Sequence, residues 1–181
     1  EAGRITGEES RAVGIHLAFA PTVDVNNNPS NPVINVRSFG EDPLLVSAMG
    51  TAFVEGMQEV GVAATVKHFP GGGPQEMGWD PHYTFGKNQL YTDTSGKYGF
   101  NYHLKPFEAA IKAGVSSIMP YYGVPIRVTH RGVRYEENGM AFSKQIVTDL
   151  LRKKLKFKGY VNSDSGVTES RGWGLESYRI N

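Results

Sequence analysis

A run of small and β-branched residues, Val62-Ala63-Ala64-Thr65-Val66, passes directly into Lys67-His68 and then into Phe69-Pro70-Gly71-Gly72-Gly73. A strand without a polar face has to be buried on both sides, and such strands belong to parallel sheets covered by helices. Lys67 and His68 then stand at its C-terminal end. Parallel α/β folds bind ligands at that end, because the loops there vary without disturbing the core. Pro70 stops the strand, and the glycines allow a positive φ or a close approach of ligand to backbone.

The same unit recurs along the chain. Residues 1–14 read as a polar helix closed by Gly14, and residues 17–20 as a strand ending at Pro21. An irregular segment rich in Asn and Pro, residues 22–40, carries Asp24 and Arg37. Asp42 followed by Pro43 is an N-cap with proline at the first helical position. From there Leu45, Ala48, Met49, Ala52, Phe53, Met57 and Val60 recur at intervals of three and four and predict one apolar helix face, stopped by Gly61. A third helix is predicted over residues 104–113, with Pro106 in its first turn, and a strand over residues 115–119. Ser143 caps a fourth helix running to Leu155, and residues 159–164 form a strand closing on Asp164. The connection over residues 69–102 is far longer than the usual βα loop of a few residues, which favours a functional role for it.

Four strands, each preceded by a helix and each ending in polar residues, predict an α/β fold with a parallel sheet of the (β/α)8 TIM-type barrel kind. A closed barrel of that type needs about 250 residues. With 181 residues, the expectation is a partial (β/α)8 barrel, truncated at both ends, with residues 1–181 forming part of one domain. Its open edges would favour aggregation unless further chain covers them.

Composition removes several function classes. Hydrophobic residues make up 39% and charged residues 20%, ordinary for a soluble globular domain. A net charge of +1 gives no reason to expect nucleic acid or an anionic membrane as partner. The basic cluster Arg152, Lys153, Lys154, Lys156 and Lys158 ends a predicted helix, where cations complement the macrodipole. The absence of cysteine excludes disulfides and thiolate chemistry. No run approaches the ~20 apolar residues of a membrane span. His16, His68, His82, His103 and His130 show no paired ligand spacing on one helix, so a metal site fits poorly. The triple glycine lacks the Lys-Ser/Thr ending of a phosphate loop, and no Gly-x-Ser-x-Gly elbow is present.

Asp24, Arg37, Lys67, His68, Asp80, His82, Tyr122 and Asp164 all fall at predicted strand ends or in the loops beyond them. In a parallel barrel those ends share one face, so these residues would line one pocket. Each also has a structural explanation: Asp24 as a turn residue, Arg37 paired with Glu41 or Asp42, Tyr122 as packing. Asp164 is the most suggestive. A carboxylate at the end of a buried strand costs desolvation unless cations or donors hold it, and Lys67, Arg37 and His68 are candidates for that. A carboxylate kept ionised there can act as a nucleophile.

Three stretches, Arg37-Ser38-Phe39-Gly40-Glu41-Asp42-Pro43, Lys67-His68-Phe69-Pro70-Gly71 and Gly159-Tyr160-Val161-Asn162-Ser163-Asp164, give the chain its resemblance to a known family. In order and interval it resembles the N-terminal barrel domain of glycoside hydrolase family 3, which contains β-glucosidases and β-N-acetylhexosaminidases. The resemblance implies a β-glucosidase-type exo-acting β-glycosidase that works by retention, without metal or organic cofactor. Asp164 would be the nucleophile that forms a covalent glycosyl-enzyme. Arg37, Lys67 and His68 would bind sugar hydroxyls, Tyr122 would match the family tyrosine near the nucleophile, and Asp24 would fall in the family's Asp-containing loop.

The substrate implied is a β-linked oligosaccharide or glycoside, and family habit suggests a periplasmic or secreted protein. Two departures stand out. Where the family often has Trp after the nucleophile, this chain has Ser165. The general acid is in many members a glutamate from a later domain, and the reading favours such a carboxylate in a C-terminal domain of the same parent chain. In the hexosaminidase branch the acid is a histidine with an aspartate two residues before it, and Asp80-Pro81-His82 has that spacing. A β-N-acetylhexosaminidase using His82, and a carbohydrate-binding remnant without an acid, are the alternatives. The isolated piece, without its first strands and second domain, would show weak activity or none. Trp79, Tyr83 and Phe85 are candidates for a sugar platform, or for core and loop staples.

Overall fold

The computed structural model describes residues 1–91 and 99–167. Helix α1 (Ala2–Ala12) leads into the short strand β1 (Leu17–Ala18), and α2 (Pro43–Glu59) into the long strand β2 (Ala63–Phe69). After a pair of residues in strand β3 (Asn88–Gln89), α3 (Phe100–Lys112) leads into β4 (Ser117–Pro120). Three further two-residue strands, β5 (Val124–Pro125), β6 (Thr129–His130) and β7 (Val133–Arg134), precede a π-wound helix, α4 (Lys144–Lys154), and β8 (Tyr160–Val161).

The main sheet has the order β1-β2-β4-β8, and every pairing in it is parallel. This is the open arc of a (β/α) barrel, with a helix between each pair of successive strands. The sheet does not close among the described residues. Strands β3 and β5 form a separate small parallel pair, and β6 with β7 an antiparallel one.

Local chemistry sets the boundaries. The Asp42 carboxylate accepts a hydrogen bond from the Leu44 amide at 2.8 Å, with Pro43 in the first turn, and so fixes the start of α2. Ser143 caps α4 in the same way through the Ile146 amide. Behind β2, the side chains of Val54, Met57, Val66, Phe69, Leu104, Phe107 and Ile118 form one continuous core, in which Phe69 and Phe107 meet edge to face at 5.4 Å. Burying each such side chain contributes roughly 1.5–3 kcal/mol.

Three expectations need correction. The face of α2 that packs on the sheet is Val46, Gly50, Val54 and Met57, whereas Leu45 and Met49 are each 49% exposed. The helix carries two apolar stripes, and periodicity alone did not say which one turns inward. Helix α3 begins at Phe100, so Pro106 lies inside it rather than in its first turn. The last strand ends at Val161, which leaves Asp164 on the following turn and not at a strand terminus.

Candidate active site

The site is built on an irregularity in β2. Its register against β4 runs Lys67 to Met119 and then Phe69 to Pro120, so His68 is an extra residue in the ladder. Consecutive strand residues normally face opposite sides, and a bulge re-aims one of them. Here Lys67 and His68 both reach the same cleft.

Behind His68 lies Asp24, which is fully buried. Its carboxylate accepts hydrogen bonds from the His68 amide at 3.1 Å and from the Gly72 amide at 2.5 Å, and it pairs with His68 Nδ1 at 2.7 Å. Burial by itself would raise the Asp24 pKa; the His68 ring and the two amides outweigh it and hold the carboxyl below its ordinary value. Asp24 is therefore a support for His68 and is not among the residues lining the cleft. With Nδ1 committed to Asp24, His68 turns Nε2 toward the Asp164 carboxylate, 3.8 Å away.

A cavity of about 80 Å³ gathers Arg37, Lys67, His68, His82, Tyr122 and Asp164, with Val33, Pro81 and Tyr121 completing its wall. Six of the eight residues expected from sequence to line one pocket thus meet in one place; Asp24 and Asp80 stand behind it, each paired with a histidine that does line it. Arg37 reaches it from a short turn, its Nε donating to the Val33 carbonyl at 2.6 Å. The Lys67 pKa is lowered, first by desolvation and then by the nearby Arg37 charge, against the opposing pull of Asp164 and Asp24. The Tyr122 hydroxyl donates to the Ser165 carbonyl, which ties the turn carrying Asp164 to the end of β4.

The other wall comes from the long loop after β2. Asp80 Oδ1 accepts a hydrogen bond from the His82 amide at 2.9 Å and pairs with His82 Nδ1 at 2.7 Å. The His82 ring sits edge-on to Tyr122, with centroids 5.2 Å apart. Trp79, Tyr83 and Phe85 are exposed and pack on one another rather than in the core, Tyr83 and Phe85 stacked at 5.4 Å. Among the described residues, no group of three or more metal-ligating side chains is placed to hold a metal ion.

Sequence reasoning missed the polar residues that shape this loop. Asn31 is fully buried, donating to the Gly72 carbonyl at 3.0 Å and accepting from the Val33 amide at 3.0 Å, so it binds both cleft walls together. Gln75 and Gln89 are buried in the loop neck. Nothing in an Asn-rich run or at an isolated Gln distinguishes these from surface residues; only their burial does.

The profile described as "Glycosyl hydrolase family 3 N terminal domain" matches residues 1–172. The chain belongs to glycosyl hydrolase family 3. It is 40% identical over 192 residues to "Beta-glucosidase C" of Emericella nidulans, covering 97% of this chain and 29% of that protein. It is 39% identical over 177 residues to a "Beta-N-acetylglucosaminidase/beta-glucosidase" of Cellulomonas fimi, covering 91% of this chain and 29% of that protein. A solved family 3 β-N-acetylglucosaminidase from Paenibacillus superposes with a TM-score of 0.79 at 35% identity, over 97% of this chain and 33% of that one. Another relative, from Dickeya chrysanthemi, is named a periplasmic β-glucosidase/β-xylosidase. The chain thus spans under a third of the length of the two curated relatives first described. Among the described residues, no helix is long and apolar enough to cross a membrane.

Proposed function

We propose that the full-length protein is an exo-acting retaining β-glycosidase that releases a terminal glucose-configured sugar, with Asp164 as nucleophile and His82 as acid/base. The observation that carries this reading is that His82, held through Nδ1 by Asp80, shares one small cleft with Asp164. We take the histidine alternative over a carboxylate acid from a later domain, on the ground that a histidine paired with Asp80 stands in the cleft.

In the first step an Asp164 carboxylate oxygen forms a bond to the anomeric carbon while the bond from that carbon to the leaving oxygen breaks. Protonated His82 gives the leaving oxygen its proton, its ring held in orientation by the Asp80 carboxylate at Nδ1. Water then attacks the same carbon, neutral His82 accepts its proton, and Asp164 leaves as a carboxylate. Arg37 and Lys67 present donors to sugar hydroxyls, and the His68 ring faces the Asp164 carboxylate across 3.8 Å. Substrates are β-linked glycosides; a periplasmic or secreted location is consistent with the Dickeya relative.

The test compares an aryl β-glucoside with an aryl N-acetyl-β-glucosaminide as substrates for full-length wild type, Asp164→Asn and His82→Ala. Both substitutions are expected to lower turnover by at least about 10²-fold. Near-normal activity of His82→Ala would assign the acid to a carboxylate elsewhere, and no turnover by wild type would leave a binding role. The preferred sugar distinguishes a β-glucosidase from a β-N-acetylglucosaminidase.

A further inference from the structure

The loop carrying Asp80 and His82 has an unusual construction. Its aromatic side chains, Trp79, Tyr83 and Phe85, face outward, so apolar burial does little to fix where the loop sits. Its neck is closed instead by polar groups. The Leu90 amide donates to the Pro74 carbonyl at 2.9 Å, and Gln75 bridges Gln89 backbone to backbone.

Gln75 lies at the centre of that neck, buried to 1% exposure. Its Nε2 donates to the carbonyl of Gly86 and, at 3.3 Å, to that of Asn88. Its Oε1 accepts from Gln89 Nε2 and, at 3.0 Å, from the Tyr121 hydroxyl. Both ends of one side-chain amide are thereby used. Gly86 presses directly on Asp80: a Cβ there would lie 2.0 Å from the Asp80 carbonyl oxygen. Tyr121, on the opposite side, packs edge-on against His68 at 5.4 Å and lines the cleft. A continuous set of contacts therefore runs from His68 through Tyr121, Gln75 and Gly86 to Asp80 and His82.

We propose that Gln75 is the positioning residue for the acid/base: its buried amide sets the distance between the loop wall carrying His82 and the opposite wall, where His68 and Asp164 stand. This rests on the reading of His82 as the acid/base. Gln75 touches no substrate atom and acts through the loop. Loss of its amide lets Gly86 move, and Asp80 and His82 with it, by a fraction of the distance over which proton transfer works. Displacements of about 1 Å in such a group lower rates by about 10²-fold.

A displaced acid has a signature that partial unfolding lacks. A leaving group that needs a proton suffers, and one that departs unaided does not. The experiment measures kcat/KM of the full-length protein on a phenyl glycoside and a dinitrophenyl glycoside of the sugar it accepts, for wild type, His82→Ala, Gln75→Leu and Gln75→Asn. Gln75→Asn keeps the amide one methylene short and guards against misfolding of the leucine variant.

The expected result is that His82→Ala and Gln75→Leu each lose about 10²-fold or more on the phenyl glycoside while staying within about threefold of wild type on the dinitrophenyl glycoside. Gln75→Asn is expected to fall between Gln75→Leu and wild type. If His82→Ala is selective and the Gln75 variants lose both substrates equally, or neither, Gln75 is structural and the inference is overturned. If His82→Ala itself shows no selectivity, the assignment of the acid falls first, and the positioning role falls with it.

Discussion

At the scale of single residues the site depends on charges held by neighbours that never meet the substrate. Asp24 is the clearest case. Replacing it by Ala leaves the His68 ring, its amide and the Gly72 amide without their common acceptor in a buried place, which costs about 3–5 kcal/mol. The pH dependence has a definite sign. A carboxyl whose folded pKa is depressed contributes stability that is present above its unfolded pKa, about 3.9, and that is lost as pH falls through the folded value. Thermal melts of the barrel domain from pH 6 downward are therefore expected to show wild type far above Asp24→Asn at neutral pH, with the gap narrowing below about pH 4. A gap that stays constant across that range would mean the Asp24 charge plays no part.

Among the elements, helix pairing shows how packing overrides propensity. Gly3 and Gly7 of α1 are buried against α2, and a Cβ at Gly3 would stand 2.3 Å from the Phe53 carbonyl oxygen. Helix propensity alone says that Gly3→Ala should stabilise by about 1 kcal/mol. Packing says the opposite, because the helices touch backbone to backbone and an added methyl forces them apart at about 1–3 kcal/mol. Differential scanning calorimetry of Gly3→Ala is expected to show a lower Tm; a rise would put the propensity argument back in charge.

The strand elements teach a similar lesson about what can be read in advance. The strand nature of β2, its burial and its ligand-facing end follow from Ala63, Ala64, Val66 and the Pro-Gly run after them. The bulge that brings Lys67 and His68 to one side does not, because strict alternation predicts opposite faces. Caps are local chemistry, so Asp42-Pro43 and Ser143 declared their helices correctly. The inner face of α2 is a relation between elements, and its apolar pattern fitted two answers.

For the whole molecule the controlling fact is the open arc. Strands β1 and β8 each pair on one side only among the described residues. Near β1 stands Phe19, 52% exposed, and the outer stripe of α2 exposes Leu45 and Met49. Unpaired parallel edges beside apolar surface template association. The 181-residue polypeptide by itself is expected to self-associate in a concentration-dependent way, and Phe19→Lys to reduce this, as read by light scattering. A polypeptide that stays monomeric at every concentration would show that these edges are protected in some other way.

What the sequence by itself determined was the alternation of helix and strand, the parallel sheet, the family, and the set of residues that collect at the sheet's C-terminal end. Those are properties of local pattern and motif: a capping pair, a glycine stop, a β-branched run, and three motifs in order. The tertiary structure decided which of the collected residues face one another. It drew Asp24 out of the cleft and under His68, brought His82 in against Tyr122, and placed Gln75 and Asn31 in the buried polar frame that joins the walls. The physical reason is that hydrogen bonds between segments tens of residues apart depend on where the backbone has already been carried. A glutamine in the sequence looks the same whether water or a tyrosine hydroxyl will satisfy it.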